Sequence, residues 1–144
     1  MKARRSNSSA TAWGAVSTVA TPSGTIGLWK LNADGGRGRV DVFALLEGSA
    51  GYVTRHTQLL PTLSLSWTPA RTRVRTRFTV SARVTDAGEP VPGATVLVDG
   101  TRVLTNSKGV ANVVKGPYAL PKMLAITASK AGYVSGRGSV SIVR

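Results

Sequence analysis

The chain contains no cysteine. Disulfide bonds and thiolate metal sites therefore contribute nothing to it, and the disulfide-stapled class of small folds is excluded. Histidine is nearly as scarce: His56 is alone, and one imidazole without thiolates cannot supply the four ligands of a tetrahedral metal site. A side-chain nucleophile needs a base beside it. The single imidazole lies in GYVTRHTQLL (51 to 60) between Arg55 and Thr57, the setting of a surface strand residue, and no G-x-S-x-G elbow exposes a serine. Carboxylates are few, namely Asp34, Asp41, Glu47, Asp86, Glu89 and Asp99, most of them in or beside turns. Nothing in their spacing sets two of them across the roughly 5 to 9.5 Å gap that glycoside hydrolysis requires. No apolar run approaches the length of about 18 to 20 residues that a membrane-spanning helix needs. The expectation is a noncatalytic protein with no cofactor, no bound metal and no transmembrane helix.

What the chain has in excess is positive charge. Nineteen Lys and Arg stand against six Asp and Glu, a net charge of +13 over 144 residues, enough to attract nucleic acid, anionic glycans or anionic membrane surfaces without specificity. Arginine outnumbers lysine by thirteen to six, a bias that the codon usage of a GC-rich genome also produces. At the N-terminus MKARR has the charge of a leader's first segment, but TAWGAVSTVA (11 to 20) carries too much Ser, Thr and Gly for its apolar part. The preferred reading gives residues 1 to 10 to a disordered basic segment and Trp13 to Val19 to a strand.

Hydrophobic residues make up 42% of the chain and aromatics only 6%, so a core has to be built mainly from Val, Ala and Leu. Frequent Val and Thr favour strands, and 16 glycines with 7 scattered prolines are what many short strands joined by turns require. The fold class is all-β. Two regions separate near Pro61. In the first, TIGLWKLN (25 to 32), RVDVFALLE (39 to 47) and GYVTRHTQLL form a three-stranded antiparallel meander, with Trp13 to Val19 as a candidate fourth strand. NADGGRGR and the Gly48 to Gly51 turn divide them. The second region, residues 62 to 144, offers seven strands: LSLSW, RFTVSARVT, ATVLVD, TRVLTN, VANVVK, LAITAS and SVSIV. Seven short strands separated by Gly, Pro and Asp turns predict a β-sandwich. Alternation puts Phe78, Val80, Ala82 and Val84 on its core side, with Ala94, Val96, Val98, Leu124, Ile126 and Ala128. The pieces GGRGR (35 to 39) and SGRG (135 to 138) lack the phosphate-cradle spacing and are expected to be flexible turns.

The run FTVSARVTDAGEPVPGATVLVDG, followed by LTNSKGVANV and ITASKAGYVSGRGSVSIV, resembles the bacterial Ig-like and carboxypeptidase-regulatory-like domains over residues 63 to 143. The pattern that carries the likeness is V-x-D-x-x-G-x-P-V-x-G-A-x-V, a T-[DN]-x-x-G turn and a late G-Y. Gly88 permits the turn, Pro90 and Pro92 stiffen the crossing to the next sheet, and Tyr133 is expected to lay its ring over one end of the core. Residues 11 to 61 are similar to the last β-propeller blade of exported bacterial proteins, through the order W-x-x-V, GTIGLWKLN, a GRG turn into VDVFAL, and GYVTRHTQLLP. The Asp-rich calcium loop of such propellers is missing: Asp34 and Asp41 are too few and too far apart for a six- to eight-oxygen site. The resemblance implies an extracellular or cell-surface accessory module, acting as a spacer, an adhesion module or a binding adjunct toward an unidentified protein or glycan.

One stretch bears on a second function. RTRVRTRFTVSARV (71 to 84) places Arg71, Arg73, Arg75, Arg77 and Arg83 at alternating or near-alternating positions, and these are the candidate polyanion-binding residues, with Lys108, Lys115, Lys122 and Lys130 dispersed beyond them. Sheet modules that bind single-stranded nucleic acid pair basic residues with exposed aromatics, and the only aromatic here, Phe78, is assigned to the core. Pro69 to Thr76 is expected to be a short edge strand and a turn, separate from the strand starting near Arg77. The preferred reading is therefore a charged edge that resists sheet-to-sheet pairing, with salt-sensitive polyanion binding as its by-product.

Overall fold

The computed structural model describes residues 2–3, 6, 9, 11, 17–18, 25–36 and 39–144. Among them every regular element is a strand: β1 (Lys2–Ala3), β2 (Ser17–Thr18), β3 (Thr25–Gly36), β4 (Arg39–Gly48), β5 (Gly51–Leu59), β6 (Ser64–Thr68), β7 (Arg71–Arg73), β8 (Phe78–Asp86), β9 (Glu89–Pro90), β10 (Thr95–Val98), β11 (Thr101–Leu104), β12 (Val110–Lys115), β13 (Lys122–Ser129) and β14 (Gly136–Val143). No helix among the described residues is long and apolar enough to cross a membrane.

The three-stranded antiparallel meander expected before Pro61 is present as β3-β4-β5. β3 runs further than TIGLWKLN suggests. Asn32 to Gly36 stay paired with β4, so Asp34 stands in register with Asp41 and Gly36 with Arg39. Val42, Ala44 and Leu46 alternate on one buried face of β4. The described part of the candidate fourth strand, Ser17–Thr18, is not in this sheet; it pairs with Lys2–Ala3, inside the segment expected to be disordered. The rest of that candidate, Trp13 to Val16 and Val19, lies outside the described residues.

Two sheets build the sandwich. One has the order β11-β10-β13-β14-β7, and the other β12-β8-β6 with β9 attached to β8. Each of the seven strands expected of the sandwich is there; β7 falls within the short edge strand and turn expected over Pro69 to Thr76, and with the short β9 the number is nine. The addition of β7 follows from the chain changing sheets. β6 pairs antiparallel with β8, then after Pro69 and Ala70 the chain crosses over, and β7 runs parallel to β14 at the edge of the five-stranded sheet.

The core between the sheets is aliphatic, as the scarcity of aromatics dictates. Val80, Val84, Val96, Val98, Val113, Leu124, Ile126 and Val140 are fully buried, and each such side chain contributes about 1.5 to 3 kcal/mol by leaving water. Every member of this cluster falls between Leu63 and Ile142. Phe78 points inward as alternation predicts but is only half-buried, at the rim with Trp67, Tyr118 and Tyr133.

Two local devices fix the connections. Thr105, buried after β11, donates from Oγ1 to the Val91 carbonyl at 2.7 Å and accepts the Ala94 amide at 2.8 Å. It thereby holds the Pro92–Gly93 crossing in place. Asn106 Oδ1 accepts the Lys108 and Val110 amides at 2.9 and 3.0 Å, closing the turn to β12, where Gly109 adopts φ 72°. SGRG (135 to 138) is a strand and not a flexible turn: Gly136 to Gly138 open β14. The glycines are there for room, because a Cβ on Gly138 would run into the Trp67 ring and one on Gly136 would lie 2.8 Å from the Leu63 carbonyl oxygen.

Candidate functional site

The structure separates the five candidate arginines. Arg71 and Arg73 lie on β7 in the five-stranded sheet, whereas Arg83 lies on β8 in the other. Between them Arg75 occupies a left-handed turn at φ 58°, its amide donating to the Tyr118 carbonyl at 2.8 Å, and Arg77 precedes β8. The alternating sequence is thus not one continuous ladder of charge.

Register brings two other arginines to the face that carries Arg71 and Arg73. In the five-stranded sheet the core side is marked by Val96, Val98, Leu124, Ile126, Ala128, Val140 and Ile142, all buried. Residues between them face outward. Arg71 stands in register with Ser141, and Ser141 with Met123. Four residues back along β14, Arg137 pairs with Thr127, Thr127 with Leu97, and Leu97 with Arg102. Arg137 and Arg102 therefore stand on one row across the sheet, three strand spacings or about 14 Å apart. Arg71 is displaced from the Arg137 row by about 13 Å along the strands. All four arginines are exposed. The surface between them is floored by the short side chains Ser139, Ser141, Ala125 and Thr127, with Leu97 on the row between Thr127 and Arg102 and with Met123 and Val143 toward the other end.

No carboxylate occupies this face. The three acidic residues after Pro61 are Asp86 and Glu89, at the β8–β9 turn, and Asp99, at the β10–β11 turn. Asp99 is committed to the fold's own contacts. The Tyr118 hydroxyl donates to its Oδ2 at 2.8 Å, Lys122 Nζ lies 3.2 Å from the same oxygen, and Lys115 Nζ donates to the Asp99 carbonyl at 2.9 Å and to Thr101 Oγ1 at 2.7 Å. The Lys122 ammonium also sits 4.5 Å from the centre of the Tyr118 ring. The Tyr118 hydrogen bond, and then Lys122, hold the Asp99 carboxyl below its ordinary range against an opposing effect of partial burial. Burial, and then the bond to Asp99, push the Tyr118 phenol up to about 12.

Three of the four lysines considered as polyanion ligands are engaged by the fold itself, two of them in this cluster. Lys115 and Lys122 are bound to Asp99 and its turn, and Lys130 donates to the Pro92 carbonyl at 2.7 Å. The arginines of the open face, in contrast, form no ion pair among the described residues. Arg102 and Arg137 were invisible as partners of Arg71 and Arg73 in the sequence, because Arg102 lies 29 positions beyond Arg73 and Arg137 a further 35 beyond Arg102.

His56, in the meander, is more engaged than a lone surface residue. Its Nε2 is hydrogen bonded to Asp41 Oδ1 at 2.9 Å, and its ring stacks on Phe43 with centres 4.5 Å apart. Asp34 and Asp41, which looked far apart in the sequence, face each other in the ladder. Even so, no group of three or more potential metal ligands forms among the described residues.

No protein-family model matches this chain, and neither the curated proteins nor the solved structures contain a match to it.

Proposed function

We propose that the chain is a noncatalytic accessory module of an exported or cell-surface bacterial protein, in which the sandwich serves as an in-line spacer that presents its sheet faces for adhesion. The observation that supports this reading is where the chain enters and leaves the sandwich. Thr62 bridges in parallel to Val134, with the Leu63 amide donating to the Val134 carbonyl at 2.9 Å and the Val134 amide to Pro61 at 2.8 Å. The chain therefore enters beside the start of β14. That strand then runs the length of the sheet to Val143, about 30 Å away at about 3.3 Å per residue. A body entered at one end and left at the other adds its own length to whatever it joins, whereas one with adjacent ends adds little.

Two further features agree with the reading. The residues that carry the Ig-like resemblance fall at the crossing between sheets, where Gly88 and Gly93 take positive φ and Val91 is buried. The side chains with chemical capability are dispersed: the arginines line an open sheet face and His56 lies on the meander.

Fractionation of the producing cells, with the chain followed by antibody, tests the proposal. The protein is expected outside the cytosolic fraction, and confinement to the cytosol overturns the reading. The absence of cysteine makes the geometry separately measurable: labels on single cysteines at Thr62 and Arg144 are expected about 30 Å apart.

A further inference from the structure

We propose that the outer face of the β11-β10-β13-β14-β7 sheet binds a linear anionic polysaccharide, held by Arg71, Arg73, Arg102 and Arg137. The proposal goes beyond the spacer reading and stands on this face alone. Its basis is charge complementarity. Residues 62 to 144 carry twelve Lys and Arg against three Asp and Glu, and none of the three carboxylates lies on this face. The lysines nearest the sandwich ends are spent on internal hydrogen bonds. The four arginines remain exposed and free of ion pairs among the described residues. A guanidinium presents a planar fork of donors that matches a carboxylate or sulfate with two parallel hydrogen bonds, and it is less strongly hydrated than an ammonium.

The floor between the arginines separates a polysaccharide from a nucleic acid. Ser139, Ser141 and Thr127 present hydroxyls that both donate and accept, as the hydroxyls of a sugar chain require. Ala125 is small enough to let a chain lie close to the sheet. A polymer that alternates charged groups and hydroxyls finds both kinds of partner here. Single-stranded nucleic acid requires aromatic platforms for its bases, and no aromatic residue stands on this face of the five strands. A duplex requires an element that enters its grooves or follows its phosphates, and the sheet face between the arginines, floored by side chains of its own strands, supplies no such element. From β11 to β7 the arginines span four strand spacings, about 19 Å across the strands, and about 20 Å along them from Arg137 to Arg73, a footprint of several sugar rings.

The experiment compares binding of the full chain to polygalacturonate, heparin, neutral dextran and a 20-base-pair DNA duplex by titration calorimetry at about 0.15 M salt, a concentration that screens exposed charges beyond about 8 Å. Polygalacturonate and heparin distinguish carboxylate from sulfate as the preferred anion. Two quadruple variants remove equal charge: R71S/R73S/R102S/R137S on the face, and R75S/R77S/R83S/K108S off it. The expected result is that one of the two anionic polysaccharides binds, that the face variant weakens it at least tenfold, and that the other variant weakens it less than twofold. Ser139→Glu, which places a negative charge on the floor without touching an arginine, is expected to weaken binding in the same way and keeps the test valid if the face quadruple does not fold. Equal losses in the two quadruples would reduce the effect to net charge and overturn the proposal. So would tighter binding of the duplex than of either polysaccharide, or no saturable binding to any probe.

Discussion

Trp67 and Gly138 show how much a single missing side chain decides in a core with few aromatics. The indole of Trp67 reaches across from β6 and lies where a Cβ on Gly138 would be, so the opposing strand has to be bare there. Gly138→Ala is expected to destabilise the protein by about 3 kcal/mol, at the upper end of overpacking costs, with a changed tryptophan emission in the folded state. Ser139→Ala, one position along and facing outward, is expected to change stability by less than about 0.5 kcal/mol. Denaturant titrations of both variants check the contrast. The Asp99–Tyr118 pair gives a different expectation. Tyr118 holds its proton in the folded state up to about 12, above the value of about 10 for an unfolded chain, so its contribution is complete below pH 10 and is lost as pH rises from 10 to 12. Asp99 is shifted the other way: its contribution is present above the ordinary carboxylate range and is lost as pH falls through its lowered folded value. Melting temperature measured against pH is expected to fall at both ends. Tyr118→Phe should flatten the alkaline fall and Asp99→Asn the acid one.

β7 is short, charged and at the edge of its sheet, a combination that blocks pairing with another sheet. Exposed charges contribute about 0 to 1 kcal/mol each, and these repel one another. Replacing Arg71, Arg73, Arg75 and Arg77 with serine is therefore expected to leave the melting temperature nearly unchanged while lowering solubility, which light scattering at increasing concentration measures. The strands themselves were legible in the sequence because alternation is local: Val80, Ala82 and Val84, or Leu124, Ile126 and Ala128, mark a buried face without reference to anything distant. Which strand lies beside which is not local. The pairing of β7 with β14, and so the meeting of Arg71 and Arg73 with Arg137 and Arg102, depends on contacts made between residues far apart in the chain. The same limit explains why Gly136 and Gly138 looked like turn residues. Glycine serves equally for a turn and for close packing, and only the position of Trp67 on the other sheet distinguishes the two. Thr105 was missed for a related reason: its buried hydroxyl acquires meaning only when Val91 and Ala94 are folded back onto it.

Among the described residues, the sandwich core draws only on the span from Leu63 to Ile142. Residues 62 to 144 expressed alone are therefore expected to give one cooperative thermal transition with a β-type spectrum; an unfolded fragment would mean that the earlier strands complete the core. The parallel placement of the chain's way in and way out has a mechanical meaning as well. Tension applied through Pro61 and Arg144 pulls the two ends in opposite directions along the strand axes. β6 is then loaded against β8, and β7 against β14, in shear, with the hydrogen bonds of each ladder lying across the pull. Bonds loaded together in this way have to break together, whereas a hairpin pulled from its open end unzips one rung at a time. In single-molecule pulling, the sandwich is expected to resist up to a higher force when held at residues 61 and 144 than when held across the β13–β14 hairpin, whose strands peel apart.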